Sequence, residues 1–72
     1  MGTFTVGEKL KIIMDRQHIN MTKLSELTGQ SRQNLSNKFS RDNFAEDDIR
    51  KLASAMGCKF EVNFTLPDGT EV

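Results

Sequence analysis

Apolar residues recur at helical spacing along most of the chain and at every second position near its end. Val6, Leu10, Ile13 and Met14 fall at i, i+4, i+7 and i+8, one face of a helix. Thr5-Val6-Gly7-Glu8 has the form of a capping box, in which the Thr hydroxyl accepts from a first-turn amide and the Glu carboxylate reaches back. A first helix is therefore predicted from Thr5 to about Gln17. Asn20 is the predicted N-cap of a short second helix carrying Leu24 and Leu27 through Thr28. Gly29 stops it, because a residue without Cβ takes the left-handed backbone of a tight turn. Ser31 then caps a third helix. Two short helices joined by about three residues around a Gly have the sequence form of a helix-turn-helix. A fourth helix is predicted from Ala45: Glu46, Asp47 and Asp48 complement the positive end of its dipole, Ile49, Leu52, Ala53 and Met56 form its apolar stripe, and Gly57 follows as the stop.

Beyond Gly57 the period becomes two. Cys58, Phe60, Val62, Phe64 and Leu66 alternate with Lys59, Glu61, Asn63 and Thr65, which predicts a strand with one apolar face. Pro67-Asp68-Gly69 predicts a turn, and Thr70, Glu71 and Val72 remain for a return strand. Phe4 is expected to pack against the body of the protein. The expected fold class is mainly α, with four to five helices in a helix-turn-helix domain followed by a C-terminal β-strand or hairpin. Residues 1–57 make the helix-turn-helix part, and residues 58–72 the strand or hairpin of the same single domain.

Length adds a constraint. A chain of 72 residues covers only about 60% of the surface that its unfolded form exposes. The single Cys58 forms no internal disulfide, and one Cys with one His, His18, does not supply a four-ligand zinc site. Oligomerisation is the remaining aid to stability. No apolar run approaches the roughly 20 residues of a membrane helix, and MGTFTVGEKL lacks the basic start and apolar stretch of a signal peptide. A reducing cytoplasm and no membrane association are expected. Paired catalytic carboxylates, a nucleophile with a His base and phosphate-binding Gly loops are missing from the pattern, so the expectation is not an enzyme, with no cofactor, metal or small-molecule ligand.

The formal net charge is zero, but its distribution is uneven. From Arg16 to Asn43 the five cations Arg16, Lys23, Arg32, Lys38 and Arg41 meet only Glu26 and Asp42, while Phe44 to Ile49 holds three acids and no cation. A neutral molecule arranged this way can present one basic face. On the third helix Leu35 and Phe39, at i and i+4, are expected to point inward. Arg32, Gln33, Asn34, Ser36, Asn37 and Lys38 are left outside, a set richer in bidentate donors and acceptors than the Glu/Lys mixture of an ordinary solvated helix. Arg offers two donors to guanine, and Gln or Asn pairs a donor and an acceptor with adenine in the major groove. Lys38, Ser40, Arg41 and Asn43 fall at the far end, where phosphate contacts are geometrically easier.

These residues resemble those of the Cro/C1 (XRE-type) helix-turn-helix repressors of phages and bacteria, whose domain is lambda-repressor-like. The resemblance covers about residues 5 to 57. It centres on Leu24-Ser25-x-x-x-Gly29, Ser31-Arg32-Gln33-x-Leu35 and Asp48-Ile49-x-x-Leu52-Ala53-x-Ala55-Met56-Gly57. It implies a sequence-specific regulator of transcription, a repressor, with double-stranded DNA as its partner. Arg32, Gln33 and Asn37 align with the base-reading positions. Ser31, Asn34, Lys38, Ser40, Arg41 and Asn43, with Thr22 and Lys23 at the start of helix 2, make the expected phosphate-contacting set. Three positions depart from the pattern. Ser25 replaces the usual Ala at the helix crossing, Met21 stands where a DNA-touching Gln is common, and Lys38 occupies a position usually apolar, with Phe39 taking over the packing. The C-terminal strand is similar to that of Cro-type proteins, which pair such strands across a two-fold axis. An unpaired edge with Phe60, Val62 and Phe64 on one face invites the same pairing, so Phe60, Val62, Asn63 and Phe64 are the expected dimerisation residues of a homodimer. The alternative is a protein-interaction module, antitoxin-like or accessory, that uses this strand and binds DNA only secondarily.

Overall fold

The computed structural model describes residues 4–72, and the first three residues of the expected helical part lie outside them. Four α-helices follow one another: α1 Val6–Arg16, α2 Met21–Thr28, α3 Arg32–Arg41 and α4 Glu46–Ala55. Each begins where a side chain can satisfy an amide that has no partner inside the helix. Thr5 Oγ1 accepts from the Glu8 amide at 3.2 Å, and Glu8 Oε1 accepts from the Thr5 amide at 2.9 Å. Asn20 Oδ1 accepts from the Lys23 amide at 2.7 Å, and Ser31 Oγ from the Asn34 amide at 3.1 Å. Ala45 has no such oxygen. There the cap runs in reverse, with Asp48 Oδ2 accepting from the Ala45 amide at 3.2 Å. Gly29 ends α2 at φ 73°, the left-handed turn that swings α3 away from α2.

The helices close on Leu10, Met14, Leu24, Leu35, Phe39, Leu52 and Met56, with Ile13, Ile19, Met21, Phe44 and Cys58 packed at the margin. Leu24, Leu35 and Leu52 are completely buried, one from each of α2, α3 and α4. Phe39 meets Phe44 edge to face, ring centroids 5.1 Å apart, a geometry that sets the positive ring edge against the negative face. Two hydrogen bonds tie α1 to the rest. Gln17 Nε2 donates to the Met56 carbonyl at 2.9 Å. The Gly7 amide donates to Asp42 Oδ1 at 2.8 Å, across 35 residues of chain. Asp42 stands just past α3 at φ 52°, a left-handed residue held there while the Asn43 amide donates back to the Lys38 carbonyl at 3.1 Å. Gly7 is buried, and a Cβ at that position would stand 2.9 Å from Asp42 Oδ1.

The tail departs from expectation. Among the described residues no strand forms, and the predicted C-terminal β-strand or hairpin is corrected to an extended segment whose last residues fold back on themselves. The turn itself is present: the Gly69 amide donates to the Leu66 carbonyl at 2.9 Å, the Leu66 amide to the Thr70 carbonyl at 2.7 Å, and Gly69 takes φ 93°. Phe64 and Val72 exchange two backbone bonds, and one isolated antiparallel bridge joins Thr65 to Glu71. Three residues after the turn can pair with only three before it, so residues 59–63 have no backbone hydrogen-bond partner among the described residues. Alternating polarity describes such a segment equally well paired or unpaired. Phe60 is half-buried and lies 5.6 Å from the Arg50 guanidinium. Val62 and Phe64 project into solvent, 49% and 67% exposed. Phe4, expected to pack, is 59% exposed.

Leu35→Ala is expected to cost about 2–5 kcal/mol, a large share of the roughly 0.05–0.15 kcal/mol per residue that holds a domain together. Val62→Ala is expected to stay within about 0.5 kcal/mol. Urea denaturation of both variants is the check, and equal shifts would contradict the core described here.

Candidate nucleic-acid interface

On α3, Leu35 and Phe39 face the core and fix which side of the helix meets solvent. Arg32, Gln33, Asn34, Ser36, Asn37, Ser40 and Arg41 are exposed. The base-reading candidates Gln33 and Asn37 share one open side, and Arg32 is exposed next to Gln33 where the helix begins. Gln33 Nε2 donates to Asn37 Oδ1 at 3.4 Å, a long bond that aligns two carboxamides one helical turn apart. It costs little to exchange, so both amides can turn their donor and acceptor outward. Neither Arg32 nor Arg41 has a carboxylate within ion-pairing distance among the described residues, and the same holds for Lys23.

The expected phosphate-contacting residues are divided. Ser40, Arg41 and Asn43 lie exposed at the end of α3 and in its loop, and Thr22 and Lys23 lie exposed in the first turn of α2. Ser31 and Asn34 join through the cap of α3, which uses the Ser31 oxygen as an acceptor and leaves its proton free to donate. Lys38 is placed differently. Its ammonium donates to Asp48 Oδ1 at 2.7 Å and to Gln30 Oε1 at 3.0 Å, and its side chain is only 28% exposed. The expectation that Lys38 sits among the outward polar residues is corrected: it flanks the inward face of α3 and turns to α4, where a carboxylate receives it. Met21 likewise packs at the core margin. Ser25 turns its hydroxyl to the Thr22 carbonyl at 2.7 Å, a local bond that keeps the Ala-sized crossing.

The acidic start of α4 is neutralised by its surroundings. Glu46 pairs with Arg50, Asp47 with Lys51 at 3.2 Å, and Asp48 with Lys38. Exposed i,i+4 pairs contribute only tenths of a kcal/mol to stability, but they place a cation beside each acid and so reduce the negative potential next to α3. Asp42 is occupied as well. The Thr5 side chain and the Gly7 amide hold its carboxyl below the ordinary aspartate range, with the Lys11 charge assisting. The Lys38 ammonium does the same for Asp48, aided by the Ala45 amide and the charge of Lys51. Sequence reasoning missed Gln30, Asp42 and Asp48 as contributors to this surface. The one signal available was Lys38 itself, a cation at an inward position that needs a partner.

Helix-turn-helix geometry, an α3 anchored by two apolar residues and an open strip of guanidinium and carboxamide groups together define a DNA-binding domain of the helix-turn-helix class. The chain matches the family model of the Cro/C1-type HTH DNA-binding domain over residues 9–61, well over half of its length, and belongs to that family. Its partner class is accordingly double-stranded DNA and its role that of a DNA-binding regulator. No curated protein and no solved structure gives a significant match to the chain. No helix among the described residues is long and apolar enough to cross a membrane.

Depressed carboxyl pKa values fix a pH dependence. The unfolded chain takes up protons near the ordinary value, about 3.8, where the folded chain still resists them, so the contribution of Asp42 and Asp48 is complete above that value and lost as pH falls through the lower folded values. Thermal melting is expected to be flat above about pH 5 and to decline below about pH 4. Asp48→Asn is expected to flatten that decline. An acid limb unchanged in this variant would show that the carboxyl is not held in the folded state.

Proposed function

We propose that the chain is a sequence-specific repressor that reads the major groove of a near-palindromic operator as a homodimer. The observation that carries this reading is the exposure of Arg32, Gln33 and Asn37 on a helix that Leu35 and Phe39 anchor to the core. Arg32 at the first position of α3 and Gln33 beside it are set to enter the groove end-on and meet base edges. Ser31, Asn34, Ser40, Arg41, Asn43, Thr22 and Lys23 surround that end and can hold the phosphates on either side. Occupying the operator would then block polymerase.

The tail supports the dimer. Val62 and Phe64 expose apolar surface beside residues 60–63, whose amides make no backbone hydrogen bond among the described residues. Antiparallel pairing of residues 60–64 with a second copy would satisfy those amides and cover Phe60, Val62 and Phe64 at once. Two recognition helices about 34 Å apart would match one turn of B-DNA.

Selection of bound duplexes from a random DNA pool tests the reading, and an inverted repeat is the expected product. On the selected duplex, Arg32→Ala or Gln33→Ala is expected to cost about 1–3 kcal/mol and to relax preference at one base pair, whereas Arg41→Ala weakens selected and random duplexes alike. Weak binding insensitive to salt would instead favour an interaction module. Asn63→Pro tests the dimer cleanly, because among the described residues the Asn63 amide makes no backbone hydrogen bond within the chain. Sedimentation is expected to show a folded monomer, and a variant that stays dimeric would rule out pairing through this segment.

A further inference from the structure

The recognition helix carries a cation that the fold itself uses. Lys38 lies on α3, Gln30 in the turn before it, and Asp48 in the first turn of α4. One ammonium joins all three, at 3.0 Å to Gln30 Oε1 and 2.7 Å to Asp48 Oδ1. Asp48 is itself committed at both oxygens, since Oδ2 accepts from the Ala45 amide that opens α4. The carboxylate therefore has a fixed orientation, and a charge-assisted bond to it adds a directional restraint on the rotation of α3 to the one that Leu35 and Phe39 supply. Asn37, Arg41 and Asn43 line the same shallow cleft as Lys38 and Asp48, so a DNA backbone drawn there meets Arg41 and Asn43 outside and a satisfied ion pair within.

We propose that Lys38 is a positioning residue rather than a phosphate contact: Asp48 withholds its ammonium from the DNA backbone, and the pair sets the roll of α3 on which sequence discrimination by Arg32, Gln33 and Asn37 depends. The inference rests on the DNA-binding reading above. It predicts an asymmetry between two neutralising changes. Lys38→Met keeps the stem and removes the charge, so the count of phosphate contacts stays the same while base reading loosens. Asp48→Asn keeps an acceptor for the Ala45 amide and frees the ammonium, which then has phosphate as its best remaining anion.

The test is the salt dependence of binding to the selected duplex and to a random duplex, with each variant held below its melting midpoint as followed by circular dichroism. Each phosphate contact adds about 0.9 to the slope of log affinity against log salt, a ~3.5-fold change between 50 and 200 mM. Lys38→Met is expected to leave the slope unchanged and random-duplex affinity intact, and to weaken the selected duplex roughly fivefold or more, the lower end of one bidentate base contact. Asp48→Asn is expected to steepen the slope by up to about 0.9 and to tighten the random duplex. Arg41→Ala serves as the control that loses about 0.9. A slope loss of that size in Lys38→Met, with both duplexes weakened alike, overturns the inference and restores Lys38 to the phosphate set. An unchanged slope in Asp48→Asn overturns the role given to Asp48. If the wild-type chain binds no duplex, the DNA-binding reading falls first and this inference with it.

Discussion

Three leucines of one buried cluster hold the molecule in shape. Leu24, Leu35 and Leu52 come from α2, α3 and α4 and retain no exposed surface. In a chain this small no second core can compensate, so the crossing of these helices is decided there, by the volume of three side chains that fit together. Once Leu35 is seated, the opposite side of α3 has no choice but to face water. The polar character of that side is then free of any duty to the fold, and its chemistry can be given over wholly to an external partner. The apolar junction and the proposed reading surface belong to one helix.

What the leucines leave loose, polar bonds at the edges tighten. Asp48 starts α4 and grips α3; Asp42 ends α3 and grips α1. Each carboxylate serves two elements, which is economical in a domain with few side chains to spare. It also resolves the charge pattern of the sequence, in which three consecutive acids follow a basic stretch. Those acids do not form a negative patch competing with DNA, because Arg50, Lys51 and Lys38 each answer one of them. The neutral total of the chain sets a purely cationic α3 against an excess of acids in α4 and the tail.

Most of the helical architecture was legible in the sequence because its signals are local. Thr5, Asn20 and Ser31 cap helices by reaching amides three residues away, and Gly29 turns the chain within its own backbone. The inward side of α3 was legible too, from the spacing of Leu35 and Phe39. What escaped notice depends on partners far along the chain. The position of Lys38 was flagged by its departure from an apolar pattern, yet nothing local says that Asp48 stands ten residues on to receive it. Gly7 likewise reads as an ordinary first-turn residue until Asp42 folds over it. The tail failed for another reason: alternation in residues 58–66 reports which faces are apolar, whereas a strand requires a neighbour, and among the described residues only 64–66 have one.

The bond between Gly7 and Asp42 couples the start of α1 to the end of α3. Asp42 is the residue on which α3 terminates, so fraying of the last turn of α3 releases the amide of Gly7. Solvent exchange at that single amide proton therefore registers breathing in a helix 25 residues further along the chain, with no label placed on α3 itself.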